Sequence, residues 1–372
     1  MNRALGVCAL LAGLLPAACG SPNAADTQAN EPLHPPAARA DDWPVATPED
    51  VGLDTSRLTA LTQRLRRGEL GTRHALLIVR GGLLAVEEYF GGSGIDDVHT
   101  MQSVTKSVTS LLVGIALDQG RLGSVEAPVL SLLPRYSDLR GADPRKDALS
   151  VRNLLEMRGG LDWRSEDPYA GSDLETLNNS RGDWVRFVLE HPMREAPGTS
   201  WQYNSGGVIV LAGVLRDATG MDPADFARAF LFEPLGIRDA TWFRAPFDGL
   251  PHTGGGLSLR ARDMAKLGEL ALRGGLWDGR RVVSEEWLAA TTARVSGPIP
   301  GWPRSVHYGQ LWWLFPRADA RPDVITASGA GGQWIFILRD LDLVVAFTSD
   351  QASPDFFRPA DLLFDEILPA VR

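Results

Sequence analysis

Ser103 and Lys106 stand three residues apart in Met101-Gln102-Ser103-Val104-Thr105-Lys106-Ser107, at the head of an apolar run that stops at Gly120. On a helix this spacing puts both side chains on one face, one turn apart. A serine hydroxyl attacks poorly until a base takes its proton; a lysine amine beside it can be that base, and the positive end of the helix favours the charge that develops. The pair outlines a serine acyl-transfer site, with Ser103 as nucleophile and Lys106 as general base. The face continues through Ser107, Ser110 and Gly114, and Val104, Val108, Leu111, Leu112 and Ile115 make an apolar stripe on the other side. The chain has only three lysines, Lys106, Lys146 and Lys266. An S-x-x-K spacing still arises by chance in roughly one such chain in seven. The pair must therefore be judged with the elements that hold it.

Before the pair, Asp54 or Thr55 caps a helix carrying Leu58, Leu61 and Leu65, and His74–Val79 and Leu83–Phe90 read as strands joined through Gly81-Gly82. From about 121 to 299 the texture is helical. Leu149–Met157, Asp183–Glu190, Val208–Thr219, Pro223–Phe232, Ala261–Arg273 and Ser284–Thr291 all carry helix signals. Strand signals return at His307–Phe315, Trp334–Leu338 and Leu343–Thr348, and a last helix runs over Pro359–Ile367. The fold class expected is α/β of the α+β kind: one antiparallel sheet built from both chain ends, about 43–120 and 300–370, with flanking helices and an inserted, mostly helical region. The site would lie where these parts meet.

Composition bounds the function. With 372 residues, 44% apolar and 22% charged, the chain can bury a large core. A net charge of −9 argues against a nucleic-acid or anionic-membrane surface. The six histidines, His34, His74, His99, His191, His252 and His307, fall at no metal-ligand spacing, and no G-x-S-x-G elbow occurs. Neither a metal nor a cofactor is expected, and an α/β-hydrolase triad is a poor alternative.

Residues 1–19 read as an export signal: Asn2-Arg3, an apolar core from Ala4 to Leu15, then Pro16-Ala17-Ala18-Cys19. Ala18-Cys19 resembles a lipoprotein cleavage site, so Cys19 is a possible lipid anchor and the only expected link to a membrane. Cys8 and Cys19 are the only cysteines, which leaves the mature body no internal disulfide. Residues 20–42, rich in proline and alanine, read as a flexible tether to a body spanning 43–370.

Over that body the chain resembles the serine β-lactamase-like superfamily, which holds class C β-lactamases, D-alanyl-D-alanine carboxypeptidases, related esterases and 6-aminohexanoate-dimer hydrolases. The resemblance rests on Ser103-Val104-Thr105-Lys106, Val151–Met157 leading to Gly160-Leu161-Asp162-Trp163, Pro197-Gly198 before Trp201-Gln202-Tyr203-Asn204-Ser205-Gly206-Gly207, Gly254-Gly255-Gly256-Leu257, Arg262-Asp263-Met264 and Gly329-Ala330-Gly331-Gly332-Gln333. It implies the β-lactamase/transpeptidase-like fold. It also implies that Tyr203, about a hundred residues after the serine, faces the Ser/Lys pair as a proton relay, its phenol made easier to ionise by the cation.

Two departures from the pattern bear on substrate. The second motif usually has asparagine two residues after the tyrosine; here that position is Ser205, which lacks an amide's two-ended grip. At the third motif, lactamases and carboxypeptidases place a lysine or histidine before a glycine, whereas this chain has Ala330-Gly331-Gly332-Gln333 and no cation for a substrate carboxylate. The expected substrate is a small ester or amide bound beside Ser205, Gly331 and Gly332, with the backbone N–H groups of Ser103 and Gln333 as the oxyanion hole. The alternatives are a weak β-lactamase or carboxypeptidase and, from another class, a non-hydrolytic penicillin-binding sensor or envelope scaffold. Trp312, Trp313 and Trp334 are read as core before acyl pocket, and whether His252–Gly256 forms a loop over the site stays open.

Overall fold

The computed structural model describes residues 30–39, 43–164, 166, 169–318, 320–350 and 356–372. The expected export signal and part of the expected tether lie outside the described residues. In chain order the strands are β1 (Arg73–Arg80), β2 (Leu83–Tyr89), β3 (Val98–Thr100), β4 (Thr241–Trp242), β5 (Leu257–Arg260), β6 (Leu276–Trp277), β7 (Arg280–Arg281), β8 (His307–Tyr308), β9 (Trp313–Phe315), β10 (Val324–Gly329), β11 (Gln333–Leu338) and β12 (Leu343–Ser349).

Gly81 and Gly82, both at positive φ, turn β1 back into β2, and the hairpin docks antiparallel on β12, with Leu77 opposite Ala346. Sheet order is therefore β2-β1-β12-β11-β10-β9-β8, an antiparallel sheet assembled from both chain ends. Side chains alternate across it. On one face Ile335 and Val344 meet Gly268 of the Ala261–Leu272 helix; on the other the Trp334 indole donates to the Phe356 carbonyl. Because both faces are covered, all of β12, Leu-Val-Val-Ala-Phe-Thr-Ser, is buried and reads as an apolar run.

Two expectations for the sheet need correction. His307–Phe315 is not one strand: Gly309 donates to the Trp312 carbonyl and Leu311 takes φ 66, so the chain reverses and Tyr308 pairs with Trp313. The stretch Val324–Gly329, unassigned from sequence, is β10, paired on both sides. Residues 30–39, read as tether, lie along the body: Leu33 and Pro36 are buried, the Glu31 carbonyl accepts from Arg66 at 2.6 Å and the Asn30 carbonyl from Gln63 at 3.0 Å.

The nucleophile helix, Val104–Asp118, also differs from the two-faced helix expected. Every residue from Val104 to Ala116 is buried, because the helix lies between β10 and β11, the Ser205–Thr219 helix and the Glu285–Thr291 helix. Two of its hydroxyls are satisfied by distant carbonyls, while the buried Ser110 hydroxyl has no partner among the described residues. Ser107 donates to the Leu311 carbonyl at 2.7 Å and Thr109 to the Thr253 carbonyl at 2.9 Å; a buried hydroxyl left unpaired costs about 1–3 kcal/mol.

Candidate active site

The nucleophile turn is clamped from outside. Met101 donates its N–H to the Leu257 carbonyl at 2.8 Å, and Thr105 accepts from the Leu257 N–H at 3.2 Å. Between them Gln102 is held at φ 47, a left-handed conformation that costs a side-chain-bearing residue roughly 1–2 kcal/mol. Ser103 is the N-cap residue of its helix yet caps nothing with its side chain. A serine there ordinarily accepts from the first turn's N–H groups. Its hydroxyl instead accepts from Lys106 Nζ at 2.9 Å.

Lys106 is 2% exposed. Its Nζ also donates to the Gly254 carbonyl at 2.5 Å and lies 4.8 Å from the centre of the Tyr203 ring. Burial pulls its pKa from 10.5 down to about 8, while the Glu166 carboxylate pulls the other way. A buried ammonium in this state gives up its proton near neutral pH, as a general base must. The Gly254 carbonyl belongs to a loop stitched to both neighbouring helices: the Thr253 carbonyl accepts from Thr109, and the Thr253 hydroxyl donates to the Val208 carbonyl at 2.7 Å.

Tyr203 reaches the same point from the loop before the Ser205–Thr219 helix, and its phenol feels the Ser103 hydroxyl. The expectation that Lys106 eases its ionisation is corrected. Burial and the negative charge of Glu166 push the Tyr203 phenol well above its ordinary value, against a smaller opposite effect of the Ser103 hydroxyl. The phenol stays protonated. Its ring stacks on Trp313 at 5.9 Å. Next to it, Asn204 caps the following helix by accepting from Gly207 N–H at 2.9 Å, so its amide is occupied. Ser205, expected at the substrate, is buried and donates from Oγ to Glu166 Oε2 at 2.6 Å and from N–H to Glu166 Oε1 at 2.5 Å. Glu166 escaped the sequence reading. A lone acidic residue in a loop carries no spacing signal, and its link to Ser205 spans 39 residues.

The third motif meets Ser103 at Gly329, the last residue of β10. A side chain on Gly329 would put its Cβ 2.4 Å from the Met101 carbonyl and 3.0 Å from the Ser103 nitrogen, so only glycine lets the strand approach so closely. The positions expected to do this work lie elsewhere. Gln333 sits in the ladder opposite Gly329, with its side chain donating to the Ser349 carbonyl at 2.7 Å and accepting from the Ser349 N–H. A Cβ on Gly332 would meet Ser349 and Arg73, and Gly331 sits in the turn between the strands. Ala330, next after Gly329, is exposed. Among the described residues neither Ser103 N–H nor Ala330 N–H has an acceptor. Two unpaired backbone donors thus flank the point where Ser103 meets β10.

His252–Gly256 is not a loose cover. His252 is buried between Trp184 and Phe243, and burial together with the Lys106 charge lowers its pKa from 6.5 to about 4, so the ring is neutral. Trp312 and Trp334 are core, 1% and 0% exposed; Trp313 is the wall behind Tyr203. Among the described residues no three His, Cys, Asp or Glu side chains gather as a metal site, and no helix is long and apolar enough to cross a membrane. A concavity around Asp118, Phe230, Arg280 and Glu285 has none of Ser103, Lys106 or Tyr203 in its lining, so the convergence of those three side chains marks the candidate site.

A Ser/Lys/Tyr cluster around a buried lysine, between a two-ended antiparallel sheet and an inserted helical region, defines a serine hydrolase of the β-lactamase/transpeptidase-like fold. The chain belongs to the beta-lactamase family, whose profile matches residues 70–367. It is 30% identical over 333 residues to the 6-aminohexanoate-dimer hydrolase of Paenarthrobacter ureafaciens, covering 83% of this chain and 81% of that one. It is 32% identical over 160 residues to Esterase EstB of Burkholderia gladioli, covering 40% of each. Among solved structures, a D-stereospecific amidohydrolase from Streptomyces sp. superposes with TM-score 0.64 at 20% identity, over 82% of this chain and 97% of that one. A penicillin-binding protein from Bacillus halodurans does so with TM-score 0.63 at 16% identity, over 79% and 97%. The last two likenesses are likenesses of fold.

Proposed function

We propose that this hydrolase cleaves an ester or amide of a small molecule through an acyl-enzyme on Ser103. The observation that carries the reading is the 2.9 Å contact of Ser103 Oγ with a buried Lys106 whose proton is held loosely. Neutral Lys106 takes the hydroxyl proton as Oγ bonds to the carbonyl carbon, and the oxyanion settles between the N–H groups of Ser103 and Ala330, the latter in place of Gln333. The C–O or C–N bond then breaks, and the leaving group takes a proton passed from Lys106 through the Tyr203 hydroxyl. Water attacks the Ser103 ester by the same route in reverse, releasing the acid and restoring the serine.

The strand residues before Gly329 are Ala327 and Ser328, both buried, so β10 brings no cation to hold a substrate carboxylate. This favours esterase or 6-aminohexanoate-dimer-hydrolase-like chemistry over penicillins or D-Ala-D-Ala peptides. Export on the residue 1–19 signal, into the periplasm or to a lipid anchor at Cys19, belongs to the same reading. The test is hydrolysis of p-nitrophenyl butyrate by the chain lacking residues 1–19, beside its Ser103→Ala variant. Turnover lost in a folded variant is expected; full activity without the Ser103 hydroxyl would remove the mechanism.

A further inference from the structure

The loop that follows Trp163 sends one carboxylate into the site, and that carboxylate receives three hydrogen bonds. Glu166 Oε1 accepts from the Ser205 N–H at 2.5 Å and from the Trp163 indole at 3.0 Å; Oε2 accepts from the Ser205 hydroxyl at 2.6 Å. Both donors are buried, Ser205 and Trp163 each at 1% exposure. Ser205 lies against Gly254, which holds the base. A Cβ on Gly254 would lie 3.0 Å from the Ser205 carbonyl oxygen and 3.3 Å from Ser205 Cβ, and the Gly254 carbonyl is the second acceptor of Lys106 Nζ. Tyr203 lies two residues upstream of Ser205 on the same turn. Gly206 extends the clamp, since any Cβ there would sit 2.6 Å from the Trp163 ring.

We propose that Glu166 is a positioning residue for the reaction: its carboxylate fixes the Ser205 turn between Tyr203 and the Gly254 carbonyl, and supplies the negative charge that faces Lys106. The proposal rests on the reading of Lys106 as general base. Groups from every surrounding element define that charge. Tyr203, from the loop before its helix, and Tyr308, from β8, are phenols held protonated; His252, from the loop before β5, is a neutral imidazole. Glu166 is the carboxylate whose charge reaches Lys106, where it opposes burial, and Tyr203, where it adds to burial. Glu166 thus keeps the proton on the amine between cycles and on the phenol during them. A Gln in its place keeps the shape but offers one acceptor oxygen to three donors and removes the charge.

The experiment compares wild type, Glu166→Gln, Glu166→Asp and Lys106→Ala as full mature bodies, with kcat/KM for p-nitrophenyl butyrate measured from about pH 6 to about pH 10 and folding checked by thermal denaturation. Glu166→Gln is expected to move the acid limb of kcat/KM to lower pH by about half a unit or more and to lower kcat by about tenfold or more. Glu166→Asp keeps the charge but withdraws it by a methylene, so it should lose rate with the acid limb close to that of wild type. A folded Glu166→Gln protein with an unmoved acid limb overturns the proposal. So does a Glu166→Asp protein with wild-type rate, which also decides the matter if Glu166→Gln does not fold. Wild-type activity in Lys106→Ala is a separate failure, that of the base reading itself.

Discussion

Replacing Lys106 with methionine should abolish turnover without weakening the fold at neutral pH. In the folded protein burial pulls the Lys106 pKa from an ordinary 10.5 down to about 8. The shift of about 2.5 pH units amounts to about 3 kcal/mol that the folded protein forfeits whenever the amine must be charged inside it. Methionine fills a similar volume and carries no charge. It leaves the Gly254 carbonyl without its donor, at a cost of about 1–3 kcal/mol, so the two effects nearly offset or leave the variant slightly more stable. The sign of the pH dependence separates this from simple core filling. Between pH 8 and 10.5 the folded wild type binds fewer protons than the unfolded chain, so its stability rises with pH across that window and is lowest, for this group, below pH 8. The methionine variant lacks that slope, and the difference between the two proteins cancels every other titrating group. Urea denaturation of both at about pH 7 and about pH 10 reads it: the variant should gain on wild type at the lower pH and lose the gain at the higher. A variant less stable than wild type by more than about 3 kcal/mol at pH 7, or a stability difference that does not change with pH, refutes the argument that Lys106 is held as a strained cation.

In wild type, kcat/KM should rise with pH along a limb near pH 8 as Lys106 loses its proton, and rate profiles with p-nitrophenyl butyrate test it; a flat profile from pH 6 to pH 9 would mean another base. Tyr203→Phe should cut kcat by about 10²- to 10⁴-fold with little change in thermal stability, because its ring still stacks on Trp313. Difference absorbance of wild type against that variant should show no tyrosinate from Tyr203 below about pH 10, since the phenol is pushed upward. Gly329→Ala should abolish hydrolysis, because its Cβ would sit 2.4 Å from the Met101 carbonyl and displace the Ser103 turn; activity within about tenfold of wild type would show that β10 does not set that turn.

The sequence displayed the nucleophile, its lysine and the two-ended sheet because each is a local pattern. Three residues on a helix put Ser103 beside Lys106 whatever surrounds them, and Gly81-Gly82 between two apolar runs forms a hairpin almost unaided. It hid whatever depends on burial from both sides. β10 has no alternation to betray it, as Val324–Gly329 is covered on both faces. The nucleophile helix looked two-faced because its serines and threonines are polar, yet the hydroxyls of Ser107 and Thr109 pair with carbonyls of the chain at Leu311 and Thr253, 204 and 144 residues away.

The same asymmetry explains the site. A glycine-rich stretch such as Gly329-Ala330-Gly331-Gly332-Gln333 announces close approach but not which residue makes it. The answer comes from register: β10 ends at Gly329 and the turn starts at Ala330, which places Gln333 in the ladder and leaves Ala330 N–H without an acceptor among the described residues. Tyr203 was expected to be acidified by its neighbouring cation, and the opposite holds, because a phenol walled by Trp313 and facing Glu166 is pushed up by burial and like charge more than the Ser103 hydroxyl lowers it. That inversion constrains the chemistry. A tyrosine this hard to ionise cannot wait as a base, so the base must be the group that burial makes easier to deprotonate, and burial acts in opposite directions on an acid and an amine. In the mechanism proposed above, one pocket assigns both roles at once: Lys106 would take the proton of Ser103, and Tyr203, kept neutral, would hand protons on.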